Sequence, residues 1–449
     1  MTKAITIRKG LDIKLEGEAE RVIVQVQPEY FAVKPTDFHG VLPKLLVGEG
    51  DKVLAGTPLF YDKYNERVRF TSPVSGEVHA IRRGPKRLLE EIVIRSDHAF
   101  TPVAASVPDL PMATPVQITD LLLELGIWPA IRQRPYNVIA TPGVQPRDVH
   151  ISAFDSAPLA PDYDFLIANR GHEFQLGLDV IARLAGAPVH LNIHEVKTKA
   201  REFLNATGVQ INRFKGPHPA GNVGIQIHHI QPVNKGDVVW VINPLDVATI
   251  GKLFLDKQYN TERVFALAGS EVKAPKYYRT HAGASVGALT QGQIEGNNCR
   301  YISGNVLTGT KITAEGFAGF YDQLITVIPE GDYYEFVGWA KPGFKAFTNS
   351  NTFLSRLFYR KPFRLDTNLH GGERAFVMTG QYEKVFPMDI YPVQLIKAIM
   401  VNDIDLMENL GIYEVDEEDF ALCEVVCTSK IEVQSIIREG LDLIRKEMS

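Results

Sequence analysis

Through residue 100 the apolar positions fall in short alternating runs, at 5–7, 21–26, 68–70 and 91–94, separated by Gly, Pro and Asp turns. That period of two predicts a compact all-β unit. Two stretches give the unit a shape: Gly50-Asp51-Lys52-Val53-Leu54-Ala55-Gly56-Thr57-Pro58-Leu59 and Ser72-Pro73-Val74-Ser75-Gly76-Glu77-Val78. Their glycines suit tight turns and Val53, Leu59, Val74 and Val78 suit strands, the arrangement of half a biotinyl/lipoyl-type barrel sandwich. A carrier of that shape presents a modifiable lysine on a hairpin tip. Lys63 is the lysine on offer, in a charged segment, 62–69, longer than a tight carrier hairpin needs. It is read as a solvated surface lysine.

A Pro-rich linker follows, from Thr101 to Pro115. It ends in a marked helix start, with Thr114 as N-cap, Pro115 at the first helical position and Gln117 closing a capping box. Ile118, Leu121, Leu122 and Leu125 then share one face before Gly126. From residue 137 strands alternate with helices. Strands are predicted at 137–141, 164–168, 189–193 and 238–242, with helices at 174–185, stopped by Gly186, and 247–255, started by Asn243-Pro244-Leu245-Asp246. Residues 164–193 then make one βαβ unit, and an open, mostly parallel sheet covered on both faces by helices is the economical solution. Such sheets bind ligands at the carboxyl ends of their strands. Short strands at 263–268, 299–303 and 323–327 suggest a small mixed α+β domain. Four helical signals, at 392–400, 404–410, 416–426 and 431–444, predict a C-terminal helical bundle. The expected division is 1–100, 101–260, 261–330 and 331–449.

Composition narrows this picture. The chain has 449 residues, 45% hydrophobic and 22% charged, with a net charge of −5. Those values exclude a disordered chain and a basic nucleic-acid-binding surface. The opening Met1-Thr2-Lys3-Ala4-Ile5-Thr6 lacks the apolar run of a signal peptide, and no stretch of about 18 apolar residues occurs. A cytosolic chain is expected, with membrane association supplied by partner subunits. Cys299, Cys423 and Cys427 are too few and too scattered for a disulfide framework.

Chemistry-bearing motifs are mostly absent. No Gly-x-Gly-x-x-Gly follows a predicted strand; the nearest substitute, Ala168-Asn169-Arg170-Gly171-His172-Glu173, has one glycine. Walker, His-Glu-x-x-His and nucleophile-elbow motifs are missing too. Cys423 and Cys427 stand four apart, and two thiolates cannot hold a four-iron cluster, so they are read as buried helix thiols and Cys299 as a core thiol. Alternation puts His228 and Ile230 on one face of a strand and His229 on the other, a poor joint metal site. His218, in Gly216-Pro217-His218-Pro219-Ala220-Gly221, is a candidate contact to a ligand carbonyl such as a quinone; the plainer alternative is a loop held by its backbone. Trp128, Arg132 and Arg134 could grip a flat head group, or they could line a domain interface with the arginines paired to carboxylates.

In combination, the domain order, Gly216-Pro217-His218-Pro219-Ala220-Gly221, Trp128-x3-Arg132-x-Arg134-Pro135 and Leu422-Cys423-x3-Cys427-Thr428-Ser429-Lys430 resemble the A-subunit family of the sodium-translocating NADH:quinone oxidoreductases, over essentially the whole chain. More distantly the layout is similar to the C subunit of Rnf complexes and the flavin subunit of complex I. The resemblance implies a barrel-sandwich domain, a Rossmann-like, flavin-domain-like sheet without its flavin loop, a β-grasp-like domain and C-terminal helices. It implies a peripheral subunit on the cytoplasmic side of a bacterial inner membrane, in a translocase that passes electrons from NADH to ubiquinone or menaquinone and exports sodium. Its partners would be five other subunits, B to F, carrying FAD, FMN, riboflavin and iron–sulfur, while this chain binds no cofactor and has no activity alone. His218, Pro219, Gly221, Trp128, Arg132 and Arg134 become candidate quinone-binding residues. Cys423 and Cys427 become remnants of a cluster site rather than ligands. The competing expectations are a soluble enzyme using Lys63 as a biotin or lipoyl carrier, and an electron-transfer subunit sharing an iron–sulfur cluster.

Overall fold

The computed structural model describes residues 4–333, 338, 341–349, 352–355 and 361–448. Met1 to Lys3 of the expected N-terminal opening, and parts of the segment after residue 330, lie outside them.

Two small sheets form the N-terminal sandwich. One orders Tyr30–Val33, Leu89–Ser96, Gly76–Arg83 and Lys52–Val53; the other orders Pro43–Leu45, Pro58–Asp62 and Asn65–Thr71. Inward positions such as Val53, Leu59, Val74 and Val78 are almost fully buried, as the alternation requires. The segment around Lys63 is a correction: Asp62 pairs with Asn65, so Lys63 and Tyr64 form a tight hairpin tip, because strand pairing extends further along the charged 65–69 run than its polarity suggested. Lys63 itself is exposed. Two early strands leave the sandwich: Ile5–Thr6 pairs with Gln210–Lys215, and Glu20–Gln25 pairs with Lys276–His281.

The central sheet has seven strands, with a parallel core of Gln210–Lys215, Val189–His194, Asp148–Ser152 and Val239–Val241, closed on one side by the antiparallel Arg132–Arg134. The expected strand at 164–168 is instead within the helix Tyr163–Ile167, because the Asp162 carboxylate accepts the Phe165 amide and caps it (3.2 Å). The βαβ unit therefore begins at Asp148–Ser152, a strand whose polar alternation hid it, and crosses through the helix Gly171–Ala185. The stretch at 228–230 is likewise helical, within Val223–Ile230. Helices Gly171–Ala185 and Pro244–Asp256 press together backbone to backbone. A Cβ at Gly177 would stand 2.0 Å from the Val247 carbonyl oxygen, so only glycine fits.

A fourth, six-stranded mixed sheet is built around Glu262–Ala268 and Leu324–Pro329. Helices Pro392–Met400, Ile404–Asn409, Ala421–Val426 and Val433–Met448 follow, the expected 416–426 helix being split by a 3-10 turn at Glu417–Phe420. One apolar core runs through the four sheets, and a second joins the helices to Ile7, Phe154, Phe214 and Ile225.

Candidate functional site

The carboxyl ends of the parallel strands open into two loops. After Ser152 the chain reaches Asp155 and Ser156; after Lys215 it reaches His218, Pro219 and Gly221. The Ser156 hydroxyl bridges them, accepting the Gly221 amide (2.8 Å) and lying 3.0 Å from His218 Nδ1. The His218 amide donates to the Asp12 carboxylate (2.9 Å), and its Nε2 is enclosed with no hydrogen-bond partner. Burial pushes this imidazole down to about 4, against the pull of Asp12. A Cβ at Gly221 would meet the Ser156 amide nitrogen at 2.6 Å, which explains a glycine there.

Trp128, Arg132 and Arg134, neighbours in sequence, separate in space. Trp128 is 1% exposed, donates Nε1–H to the Ala140 carbonyl (2.7 Å) and meets Trp240 edge-on. Arg132 sits 4.8 Å over the Tyr321 ring. Arg134 is buried, and its Nη2 reaches Asp416 (3.0 Å) and Glu418 (2.7 Å) on the 3-10 turn. That turn also receives His39 from the sandwich and Arg438 from the last helix, both on Glu417, and Asn222 on the Glu418 carbonyl. Burial raises the Asp419 carboxyl to about 7 and raises Asp416 as well, Arg134 opposing in both cases. Arg134 therefore ties the central sheet to the helical domain, the interface reading of this residue.

Between sandwich, central sheet and mixed sheet lies a partly open pocket. Phe38, Phe70, Ile127, Ala130, Ala282 and Phe320 supply apolar wall, and Lys34, Asp37, Thr71 and Tyr259 supply polar groups. Phe38 packs at 4.4 Å from Phe70 and 5.0 Å from Phe320 between ring centres. Thr71 Oγ1 and the Tyr259 hydroxyl share a hydrogen bond (2.9 Å), and burial lifts the Tyr259 phenol to about 12. Tyr321 donates to the Pro129 carbonyl (2.8 Å), fixing the 128–130 turn that contributes the Ala130 wall. Lys34, Asp37, Phe38, Phe70 and Phe320 escaped the sequence reading because they come from separate segments with no local motif.

Cys423 and Cys427 are buried in the helical core, and burial raises the Cys423 thiol well above its ordinary value. Cys299 is only half-buried, beside Glu271 and Arg364, rather than a core thiol: its strand, Cys299–Ser303, begins at the partly exposed rim of the mixed sheet. Among the described residues no helix is long and apolar enough to cross a membrane.

A barrel sandwich, an open α/β sheet and a smaller mixed sheet, clamped by a helical domain through Arg134, define a multidomain α/β protein. Family models agree piece by piece: residues 5–97 match the NqrA N-terminal barrel-sandwich hybrid domain, 113–259 the NqrA second alpha/beta domain and 264–314 the NQRA C-terminal domain. The A subunit of the Na(+)-translocating NADH-quinone reductase of Yersinia pseudotuberculosis is 40% identical over 448 residues, covering 99% of this chain and 100% of that one. Its namesake from Pseudomonas aeruginosa is 40% identical over 447 residues, with the same coverage, and that from Rhodopirellula baltica 39% over 460, covering 99% of each. The chain belongs to the family of Na(+)-translocating NADH-quinone reductase A subunits. A solved NAD+-reducing [NiFe]-hydrogenase chain aligns with 12% identity and a TM-score of 0.39, covering 76% of this chain and 62% of that chain, too slight a likeness to bear on function.

Proposed function

We propose that this chain is a peripheral, cytoplasmic component of a Na+-translocating NADH–quinone reductase, and that it holds a quinone head group in the cavity between the sandwich, the central sheet and the mixed sheet. The observation that carries the reading is that cavity: aromatic walls from Phe38, Phe70 and Phe320, rimmed by polar groups that include Lys34, Asp37, Asn260 and Arg263, suit a planar apolar ring with two carbonyls. Lys34 supplies charge and a donor for a carbonyl, while the Thr71 hydroxyl donates to the Leu125 carbonyl (3.1 Å) and accepts from Tyr259 (2.9 Å). Of the six residues singled out in the sequence, Trp128 and Arg132 support this wall; His218, Pro219 and Gly221 line the loop at the carboxyl ends of the strands; Arg134 holds the helical domain.

On this reading the chain has no redox centre of its own. Its open sheet and its smaller mixed sheet are Rossmann-like and β-grasp-like frames, and FAD, FMN, riboflavin and iron–sulfur belong to the five partner subunits, B to F, on which it docks. The helical core supports this, since it offers two neighbouring thiols, Cys423 and Cys427, where a four-iron cluster takes four thiolates. The isolated chain would bind quinone without turning it over.

The test is titration of the purified chain with a quinone analogue, read by tryptophan quenching or calorimetry. Ala282→Leu, which adds bulk at a partly exposed wall position, is expected to lower affinity more than about tenfold. Trp128→Ala, which empties the core under the Ala130 wall, is expected to cost about 1–3 kcal/mol of binding, while His218→Ala, outside the cavity, should leave affinity unchanged. Saturable binding untouched by Ala282→Leu would remove the quinone from this cavity. A stoichiometric chromophore on the purified chain would overturn the cofactor-free reading.

A further inference from the structure

In a parallel sheet, side chains two residues apart share a face. Asp148, His150 and Ser152 on one strand thus lie beside His190, Asn192 and His194 on the next, with His150 directly opposite His190. The two imidazoles stack, their centres 4.6 Å apart and their planes within 7°. Each of Asp148, His150 and His190 offers one ligand atom, and these atoms all lie within 4.8 Å of one another. Exposures of 3%, 0% and 8% take the three out of bulk water while leaving His190 a narrow opening.

Two observations separate this cluster from a satisfied core network. His150 Nε2 and Asp148 Oδ1 are buried without a hydrogen-bond partner and stand 3.4 Å apart. Arg147 occupies the other carboxylate oxygen, Oδ2 (2.9 Å), and is itself balanced by Asp237 (2.8 Å), so Oδ1 is left facing the imidazole. Buried polar atoms without partners are rare and costly.

The amides behind the rings complete the picture. The Asn192 side-chain amide lies 3.4 Å from His150 Nδ1, and that of Asn212 lies 3.1 Å from His190 Nδ1 and 2.9 Å from Asn192. The amide oxygen and nitrogen of asparagine occupy equivalent space. Turning both amides over gives up the long Asn212 donation to the Gln210 carbonyl (3.4 Å) but keeps the contacts to the rings and between the amides with their direction reversed: each Nδ1–H then donates to an asparagine oxygen, and each Nε2 lone pair is freed. That is the outer arrangement by which metal-binding histidines are oriented.

We propose that Asp148, His150 and His190 form a divalent-metal site on the central sheet, held in orientation by Asn192 and Asn212. Two imidazole nitrogens and one carboxylate oxygen suit Zn2+ and its neighbours Co2+ and Fe2+ rather than Mg2+ or Na+. Three protein ligands leave at least one coordination position open. The site lies toward the amino ends of the strands, and none of its residues lines the cavity of the quinone reading, so the two stand apart.

The test uses the full chain, stripped with chelator and titrated with Co2+ while its visible d–d absorption is recorded, then displaced with Zn2+. One Co2+ per chain is expected, with the spectrum of a low-coordinate N/O site. His150→Gln and His190→Gln should each weaken binding more than about tenfold, and Asn212→Leu by about 10- to 100-fold. His98→Gln, at an exposed histidine, should leave it unchanged. Circular dichroism reports whether each variant folds. Wild-type chain that binds no stoichiometric Co2+ or Zn2+ overturns the proposal without any variant, and so does a Co2+ spectrum that survives in folded His150→Gln/His190→Gln.

Discussion

Two buried cations in this molecule do different things. Arg134, 2% exposed, sits where the central sheet meets the helical domain, with Asp416 and Glu418 on one guanidinium nitrogen and further carboxylates nearby. Lys34, 8% exposed, lies on the cavity wall, touching one carboxylate, Asp37 (3.2 Å), and one carbonyl, that of Phe317 (3.3 Å). The arginine is surrounded by more negative charge than it can neutralise, and its neighbours Asp416 and Asp419 are raised in consequence of burial. The carboxylate that the lysine touches is also pushed up by burial. A planar fork with many anions makes a joint; a flexible ammonium touching one anion leaves a charge that a ligand can use.

The joint predicts the largest effect. Arg134→Ala leaves Asp416 and Glu418 facing each other in a buried turn, and about 3–5 kcal/mol of unfolding free energy should be lost in urea titration. Adding Asp416→Asn should recover part of that loss, since the orphaned charge goes with it. A loss within about 0.5 kcal/mol, the scale of an ordinary surface change, would reduce Arg134 to one more arginine and dissolve the contrast.

His218 offers a third kind of buried group, one whose side chain has a hydrogen bond but no countercharge in contact. Its folded value is about 4 against 6.5 for the free ring, so between those values the unfolded state binds the extra proton. Stability must therefore rise with pH from about 4 to 6.5 and stay level above, a contribution of about 3 kcal/mol. His218→Gln keeps an acceptor for Ser156 and abolishes the titration. Between pH 7.5 and 4.5 the variant should lose about 2–3 kcal/mol less than wild type in parallel urea curves. Identical acid sensitivity would place His218 in contact with water.

The contrast also marks what the sequence could show. Period-two runs and the Thr114 capping box were legible because each depends on near neighbours: Thr114 and Gln117 do bond to each other's backbone. The strand at Asp148–Ser152 was not, because one of its faces carries Asp148 and His150, and the neighbours of His150, His190 and Asn192, come from a strand some forty residues on. The 164–168 run was misassigned for the opposite reason. Five residues of mixed polarity fit either period, and the cap at Asp162 decided it. At the site, Trp128, Arg132 and Arg134 looked like one motif because they are close in sequence. Folding sends them to the core, to an aromatic face and to a carboxylate turn, destinations fixed by segments near 240, 321 and 416.

The smallest expected effect is the sharpest for the comparison. Lys34→Met keeps the apolar stem and removes the ammonium beside Asp37. Asp37 is already raised by burial, with Lys34 as the chief opposing influence, so without the lysine it takes up a proton more readily and still accepts the Phe320 amide (2.8 Å). A carboxyl whose folded value is raised favours the folded state when protonated, and that advantage fades as pH rises above the free value of 3.8. The variant should therefore be about 1–2 kcal/mol less stable at pH 8 and less affected at pH 5, the reverse of the acid sensitivity expected from His218. Quinone-analogue affinity should fall together with the ammonium while the fold persists. A loss as large as that of Arg134→Ala, equal at both pH values, would make Lys34 a second joint and take from the cavity the ammonium that a ligand could use.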